Sequence, residues 1–151
     1  MMSKESKKNY IQEMKKNFND SKAVLIAQYQ GLKVNELDEL RKQLREKDIM
    51  FKVTKNRITK LALKDTPIKD LEKFFTGPTA AALSSDAITT AKILTKFAKS
   101  HDKLKIVAGY MDGKVLDEKE VSIIATLPSL EEARAKIVGI LSSPAQKLVS
   151  I

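Results

Sequence analysis

The chain has no cysteine among its 151 residues. That removes disulfides, thiolate metal ligands and a cysteine nucleophile, and it suits a reducing cytosol. It has a single histidine, His101, set between Ser100 and Asp102 in a polar stretch after a helical segment. Sequence neighbours on one loop do not converge on one reacting atom as the members of a hydrolytic triad must, so His101 is expected to be a loop residue or a helix C-terminal partner. The five glycines are scattered and form neither G-x-x-x-x-G-K nor G-x-G-x-x-G, which excludes the common phosphate-cradling loops. Aromatic residues are only 5% of the chain, too few for extensive stacking along a single nucleic-acid strand. No apolar run approaches the roughly 18 residues of a membrane span. The N-terminal MMSKESKKNYIQEMKKNF has no apolar signal core, and its lack of Arg with Glu5 and Glu13 present argues against a transit peptide. The acids Asp117, Glu118 and Glu120 resemble a metal cluster, but Asp117 and Glu120 are better explained as a helix cap. No catalytic residue, cofactor or metal is expected.

What the chain does have is positive charge, unevenly distributed. The net charge is +9, and residues 1–64 hold 16 Lys and Arg against 8 Asp and Glu. The remaining 87 residues are nearly neutral, with 12 against 11. A one-sided positive field attracts polyanions and speeds encounter with them. The densest stretch is IMFKVTKNRITKLALK, Ile49 to Lys64, with Lys52, Lys55, Arg57, Lys60 and Lys64 and no acid. Its apolar residues are sufficient for a strand followed by a helix. A strand, a tight turn and a helix start bring Lys52, Lys55, Asn56 and Arg57 close together, at a helix end whose free N–H groups favour anions. Asn56 suits a phosphate, a ribose hydroxyl or a base edge, and Arg57 suits a forked phosphate contact. Structured RNA, met through shape and phosphates, is the expected partner.

Periodicity predicts a helix from Ser3 to about Asn19, with Tyr10, Ile11, Met14 and Phe18 as its apolar stripe. AVLIA, Ala23 to Ala27, is a buried strand left by the turn Tyr29-Gln30-Gly31. A second helix runs Val34 to Lys47, with Val34, Leu37, Leu40 and Leu44 on one face and Asp38 near Arg41 and Lys42. Ile49 to Val53 is the second strand, and Thr54 or Asn56 is expected to cap a helix through Leu63. Thr66-Pro67 opens a short helix burying Ile68, Leu71 and Phe74 or Phe75. TAAAL, Thr79 to Leu83, is the third strand, and Asp86 caps the next helix. In LKIVAGY, Leu104, Ile106, Ala108 and Tyr110 are expected inward, with Lys105, Val107 and Gly109 outward. Asp112-Gly113 signals a hairpin. Capping boxes at Asp117/Glu120 and Ser129/Glu132 open the last helices, and Pro144 is expected to break or kink the final one. The order contains two strand–helix–strand units. It predicts an α/β, two-layer, ferredoxin-like split βαβ domain over 1–127, helices on one face, and a helical C-terminal extension over 128–151.

Four segments in this order resemble one family. They are YQGLKVNELDELRKQLRE (Tyr29 to Glu46), FKVTKNRITKLAL (Phe51 to Leu63), FTGPTAAAL (Phe75 to Leu83) and IATLPSLEEARAKIVGILSSPAQKLV (Ile124 to Val149). Together they are similar to the bacterial large-subunit ribosomal protein L-ten family, found at the base of the ribosomal stalk. The resemblance implies a non-catalytic scaffold in the ribosome of the bacterial cytoplasm or of a bacterium-derived organelle. Its domain would bind large-subunit (23S-type) rRNA beside the stalk-base protein L-eleven. Its helical spine would anchor dimers of the acidic stalk protein L-seven/L-twelve, which engage translational GTPases.

The rRNA-binding residues so implied are Tyr29, Gln30, Gly31, Lys52, Lys55 and Asn56. The first-helix lysines Lys7 and Lys8 are implied as well, and the positive residues Lys33, Arg57 and Lys60 join them on charge. Lys33 stands where the family has a capping Thr or Ser, a loss of about 1 kcal/mol. Arg57 stands where the family commonly has Thr. Family members continue further in a long helix, of which only Ala145 to Ile151 is expected here. A shortened chain is the expected reason. Leu148, Val149 and Ile151 would then begin the dimer-binding face, with that binding weakened. The alternative is a free-standing RNA-binding regulator or ribosome assembly factor of the same fold.

Overall fold

All five side chains of Ala23 to Ala27 are buried, so this run has to be covered on both faces. The computed structural model describes residues 4–149 and shows how that happens. The elements are α1 (Lys4–Asp20), β1 (Ala23–Gln28), α2 (Val34–Arg45), β2 (Met50–Val53), α3 (Asn56–Leu63), a 3-10 turn (Lys69–Phe74), β3 (Thr79–Ser84), α4 (Ala87–Ser100), β4 (Lys105–Met111), β5 (Lys114–Asp117), α5 (Glu118–Thr126) and α6 (Leu130–Val149). The predicted start at Ser3 lies outside the described residues.

The strands form one antiparallel sheet in the order β2-β3-β1-β4-β5. β1 and β4 flank the α2–β2–β3–α4 stretch in the interleaved manner of a split βαβ fold, and β5 is added at one edge. Leu25 and Ala27 pack with Leu40, Leu44, Leu94, Phe97 and Val121 of α2, α4 and α5. Val24 and Ile26 point the other way, onto Met14, Phe18, Leu63 and Leu71. The two-layer α/β expectation therefore holds for the sheet with α2, α4 and α5. The expectation of helices on one face only is corrected: α1, α3 and the 3-10 turn cover the other. The physical reason is a strand apolar at every position, which alternation places on both faces.

The predicted inward set of β4 is also corrected. Ile26 stands opposite Ala108 while Ala27 stands opposite Ile106, so Val107 is an extra residue in the ladder. That bulge reverses the alternation. Leu104 and Ile106 join the α2/α4 side, whereas Ala108 and Tyr110 join the α1/α3 side. Gly109 is thereby turned towards α5. The β4–β5 hairpin forms as predicted, with φ +48° at Asp112 and +88° at Gly113, the pair of positive values a type I′ turn requires.

Several predicted caps are found. Asp86 accepts from Ile88 N at 3.0 Å. Glu120 accepts from Asp117 N at 2.9 Å, and Ser129 and Glu132 bond reciprocally. Others differ. Thr66 donates to Leu63 O at 2.9 Å instead of opening the 3-10 turn. Val34 is exposed at the first position of α2, outside the stripe made by Leu40 and Leu44. The break expected at Pro144 is absent, and α6 runs unbroken from Leu130 to Val149. Proline removes only its own bond to the carbonyl one turn back, and the exposed surroundings let water replace it.

The close approach of α5 to β4 depends on Gly109. A Cβ there would lie 2.5 Å from Leu25 Cδ2 and 3.1 Å from Val121 Cγ2. Gly109→Ala is expected to lower stability by about 1–3 kcal/mol through overpacking, read as a lower urea midpoint with an unchanged slope.

Candidate nucleic-acid interface

The ends of four strands meet at one rim of the sheet. Gln28 pairs with Thr79 and also with Lys105, and Val53 pairs with Ala80. The exit of β2, the entry of β3, the exit of β1 and the entry of β4 therefore lie side by side. Tyr29-Gln30-Gly31 and Lys55-Asn56-Arg57, far apart in sequence, share this rim with the 77–79 segment between them. The sheet order thus supplies the adjacency that the sequence left open.

Hydrogen bonds hold the rim in shape. Asn56 Nδ2 donates to Gly77 O at 2.7 Å, and Thr79 Oγ1 donates to Asn56 Oδ1 at 2.7 Å. Thr54 N and Thr54 Oγ1 both donate to Thr79 O, at 3.1 and 3.0 Å. Gln28 Nε2 donates to Thr76 O at 2.9 Å. These bonds correct the capping expectation: the N-cap of α3 is Lys55, with no side-chain cap bond, because Thr54 and Asn56 are spent on joining β2 to β3. The Asn56 amide acts first as a brace for the turn at Gly77, whose φ of +72° suits glycine. Gly31 likewise has φ +89°. Tyr29 is half-buried against the α2/α4 core, and Leu32 N donates to Tyr29 O at 3.2 Å.

The cations fall into two groups. Lys52 bonds Glu13 of α1, and Lys15 bonds Asp65. The expectation of an uncompensated Lys52 is therefore corrected: the neutralising acid comes from 39 residues away, where no local window shows it. The Arg57 side chain is exposed and has no hydrogen bond or ion pair among the described residues. Lys7, Lys55 and Arg57 surround one depression that no acid lines. Lys8 and Lys60 lie outside that lining, and Lys33 is exposed at the start of α2. Sequence reasoning missed Lys103 and Lys105. Lys103 lies against Gly31, its Cδ 3.6 Å from where a Cβ would stand, and the register brings Lys105 to Gln28. Their only signal was lysines bracketing Leu104 at a strand start.

His101 is the C-cap residue of α4. Its N–H donates to Phe97 O at 2.9 Å and its ring stacks on Phe97 with centroids 4.2 Å apart. Ser100 Oγ faces the Lys96 carbonyl at 3.3 Å, so these neighbours form no triad.

With this rim described, comparison with known proteins settles the family. Residues 2–99 match the family model described as ribosomal protein L10. The chain belongs to the ribosomal protein L10 family. It is 55% identical over 150 residues to the large ribosomal subunit protein uL10 of Pelagibacter ubique, covering 99% of this chain and 90% of that one. The uL10 of Rhodospirillum rubrum is 43% identical over 99% of this chain and 87% of its own. That of Rickettsia bellii is 41% identical over 95% and 85%. The L10 family is a structural, non-enzymatic component of the large ribosomal subunit, and the chain is no enzyme. Among the described residues, no helix is long and apolar enough to cross a membrane.

In this L10 chain the loss of a capping hydroxyl at Lys33 is offset from the other side. Glu36 reaches back to accept from Lys33 N at 2.9 Å, half of a capping box. That bond holds the Glu36 carboxyl below its ordinary range; slight desolvation opposes it, and the charges of Lys103, His101 and Lys33 reinforce it. A lowered folded-state value means the contribution is present above the unfolded carboxylate value and lost as pH falls through the lowered one. The stability gap between the native chain and Glu36→Gln should therefore be widest near neutrality and close in acid as pH falls through the lowered folded-state value. Urea unfolding across that range measures it, and a gap independent of pH would remove the bond from the account.

Proposed function

We propose that this chain is the stalk-base scaffold of the large ribosomal subunit in the bacterial cytoplasm, with an rRNA-binding domain over 1–127 and a dimer-binding spine over 128–151. The observation that carries the RNA half is the acid-free depression ringed by Lys7, Lys55 and Arg57 at the sheet rim. It is held rigid by the Asn56 and Thr54 bonds. Lys8, Lys33, Lys60, Lys103 and Lys105 extend the positive field around it, and Tyr29, Gln30 and Gly31 lie on the same rim. Lys52, paired with Glu13 of α1, contributes less to this field. The partners are 23S-type rRNA and, beside it, the stalk-base protein L-eleven.

The spine half is supported by α6, a helix of 20 residues with none buried. Leu130, Ile137, Leu141 and Leu148 recur at intervals of 7, 4 and 7, which puts them on one stripe of a helix. Leu141 is 74% exposed and Leu148 76% exposed. An apolar stripe left in water calls for a partner, and dimers of the acidic stalk protein L-seven/L-twelve, the route to translational GTPases, are the one proposed. Val149 lies beside the stripe; Ile151 lies outside the described residues.

The RNA test is binding to the stalk-base segment of large-subunit rRNA, against an unrelated folded RNA of equal length, over a salt series. The stalk-base RNA should bind more tightly. Changing Lys7, Lys55 and Arg57 to Ala should reduce the slope of log K against log salt by about 0.7–0.9 for each phosphate that the variant no longer neutralises. Lys52→Ala should reduce it less than Arg57→Ala. Equal binding to both RNAs would leave only general electrostatics. For the spine, Leu141→Asp is expected to abolish co-elution with the acidic stalk protein while leaving RNA binding intact; unchanged co-elution would reject the stripe as the docking face.

A further inference from the structure

We propose that the depression at the start of α3 receives one unstacked nucleobase, so that this surface reads a looped-out nucleotide as well as phosphates. The proposal rests on the RNA-binding reading above and deepens it. The depression is shallow and open to solvent, with a volume of about 600 Å³, so it can cover one face of a planar group without enclosing it. Its interior is apolar although its ring is cationic. Ile58 and Leu61 both line it, three residues apart and therefore neighbours on the outer face of α3. Arg57 lies four residues before Leu61 on the same face. Leu61 is 52% exposed, while Thr59, Ala62 and Leu63 carry the buried face of α3. Leu61 is thus not a core residue at the margin of burial; it faces the depression. Gly77 forms part of the wall, where a Cβ would meet only Gln28 Nε2, at 3.8 Å. A ligand can approach the main chain closely there.

Phosphate binding alone needs cations and amides and gains nothing from two branched aliphatic side chains in the middle of the site. A nucleobase supplies what matches both parts. Its flat face covers Ile58 and Leu61, and the phosphates on either side of it meet Lys7, Lys55 and Arg57. A protein segment would need acids arranged around a single apolar residue, and two side chains make a small anchor for a protein interface. Because bases of a duplex are not exposed in this way, the nucleotide has to come from a loop, bulge or junction.

The test uses the full chain and the stalk-base rRNA segment, intact and with single abasic substitutions at its unpaired positions. One abasic position should weaken binding by about three- to tenfold. Leu61→Ala should weaken binding to intact RNA by a similar factor with an unchanged salt slope, and should abolish the effect of that abasic position. Arg57→Ala should instead reduce the slope. Leu61→Lys, which keeps the helix and adds charge, should steepen the slope yet lose the abasic discrimination. The proposal is overturned if no abasic position matters, if Leu61→Ala binds intact RNA unchanged, or if its loss is equal on intact and abasic RNA. It is equally overturned if Leu61→Ala removes binding of the acidic stalk protein instead, which would make the depression a protein surface. If the unsubstituted chain binds the RNA without salt dependence, the RNA-binding reading fails and this one with it; a salt slope without abasic discrimination sinks only this one.

Discussion

The rest of the structure depends on the burial of β1 on both faces. Val24, Leu25 and Ile26 are each at most 2% exposed, and consecutive strand residues point to opposite sides. Such a strand cannot sit at an edge or face water, so it takes the middle of the sheet and needs a helical layer on each side. α2, α4 and α5 supply one layer; α1, α3 and the 3-10 turn supply the other. With β1 central, β3 and β4 flank it, and the polar turns leaving these strands collect at common rims. The cationic rim follows from the same packing. Tyr29 and Lys55 are brought to one rim because β3 separates β1 from β2 by a single strand.

Much of this was legible in the sequence, for reasons that lie in particular residues. Helix stripes such as Met14/Phe18 and Leu40/Leu44, the Asp86 cap and the Asp112-Gly113 hairpin are local signals, and local chemistry decides them. What was not legible needed knowledge of partners distant in the chain. The bulge at Val107 exists only relative to β1, so alternation within LKIVAGY predicted the wrong inward set. Thr54 and Asn56 looked like caps because capping is what such residues do when no better acceptor is near. The entry of β3 offers better acceptors, Gly77 O and Thr79 O, and tertiary bonding displaced the local preference.

The charge pattern has the same lesson at a larger scale. Five cations in sixteen residues of sequence read as one unbalanced patch. Folding sorts them. Lys52 points to the α1 face and finds Glu13, and Asp65, just past the end of the stretch, takes Lys15. These exposed pairs add little stability. Their larger effect is on where positive potential remains, because they neutralise Lys15 and Lys52 and leave Arg57, unpaired among the described residues, at the rim.

This sorting also separates the two ends of the molecule's chemistry. α6 begins at Leu130, tied to α4 by the Lys92–Glu132 pair, and its exposed stripe is apolar where the rim is cationic. On the function proposed above, an acidic partner protein would compete with polyanionic RNA at the rim but not along the α6 stripe, where weakly salt-dependent apolar burial adds to the charges of Arg134, Lys136 and Lys147. RNA, in turn, gains nothing from the stripe. On the function proposed above, a scaffold holding a nucleic acid and a protein at once is served by two surfaces that respond to different physics, with charge sorted to one rim and an apolar stripe left bare on a helix.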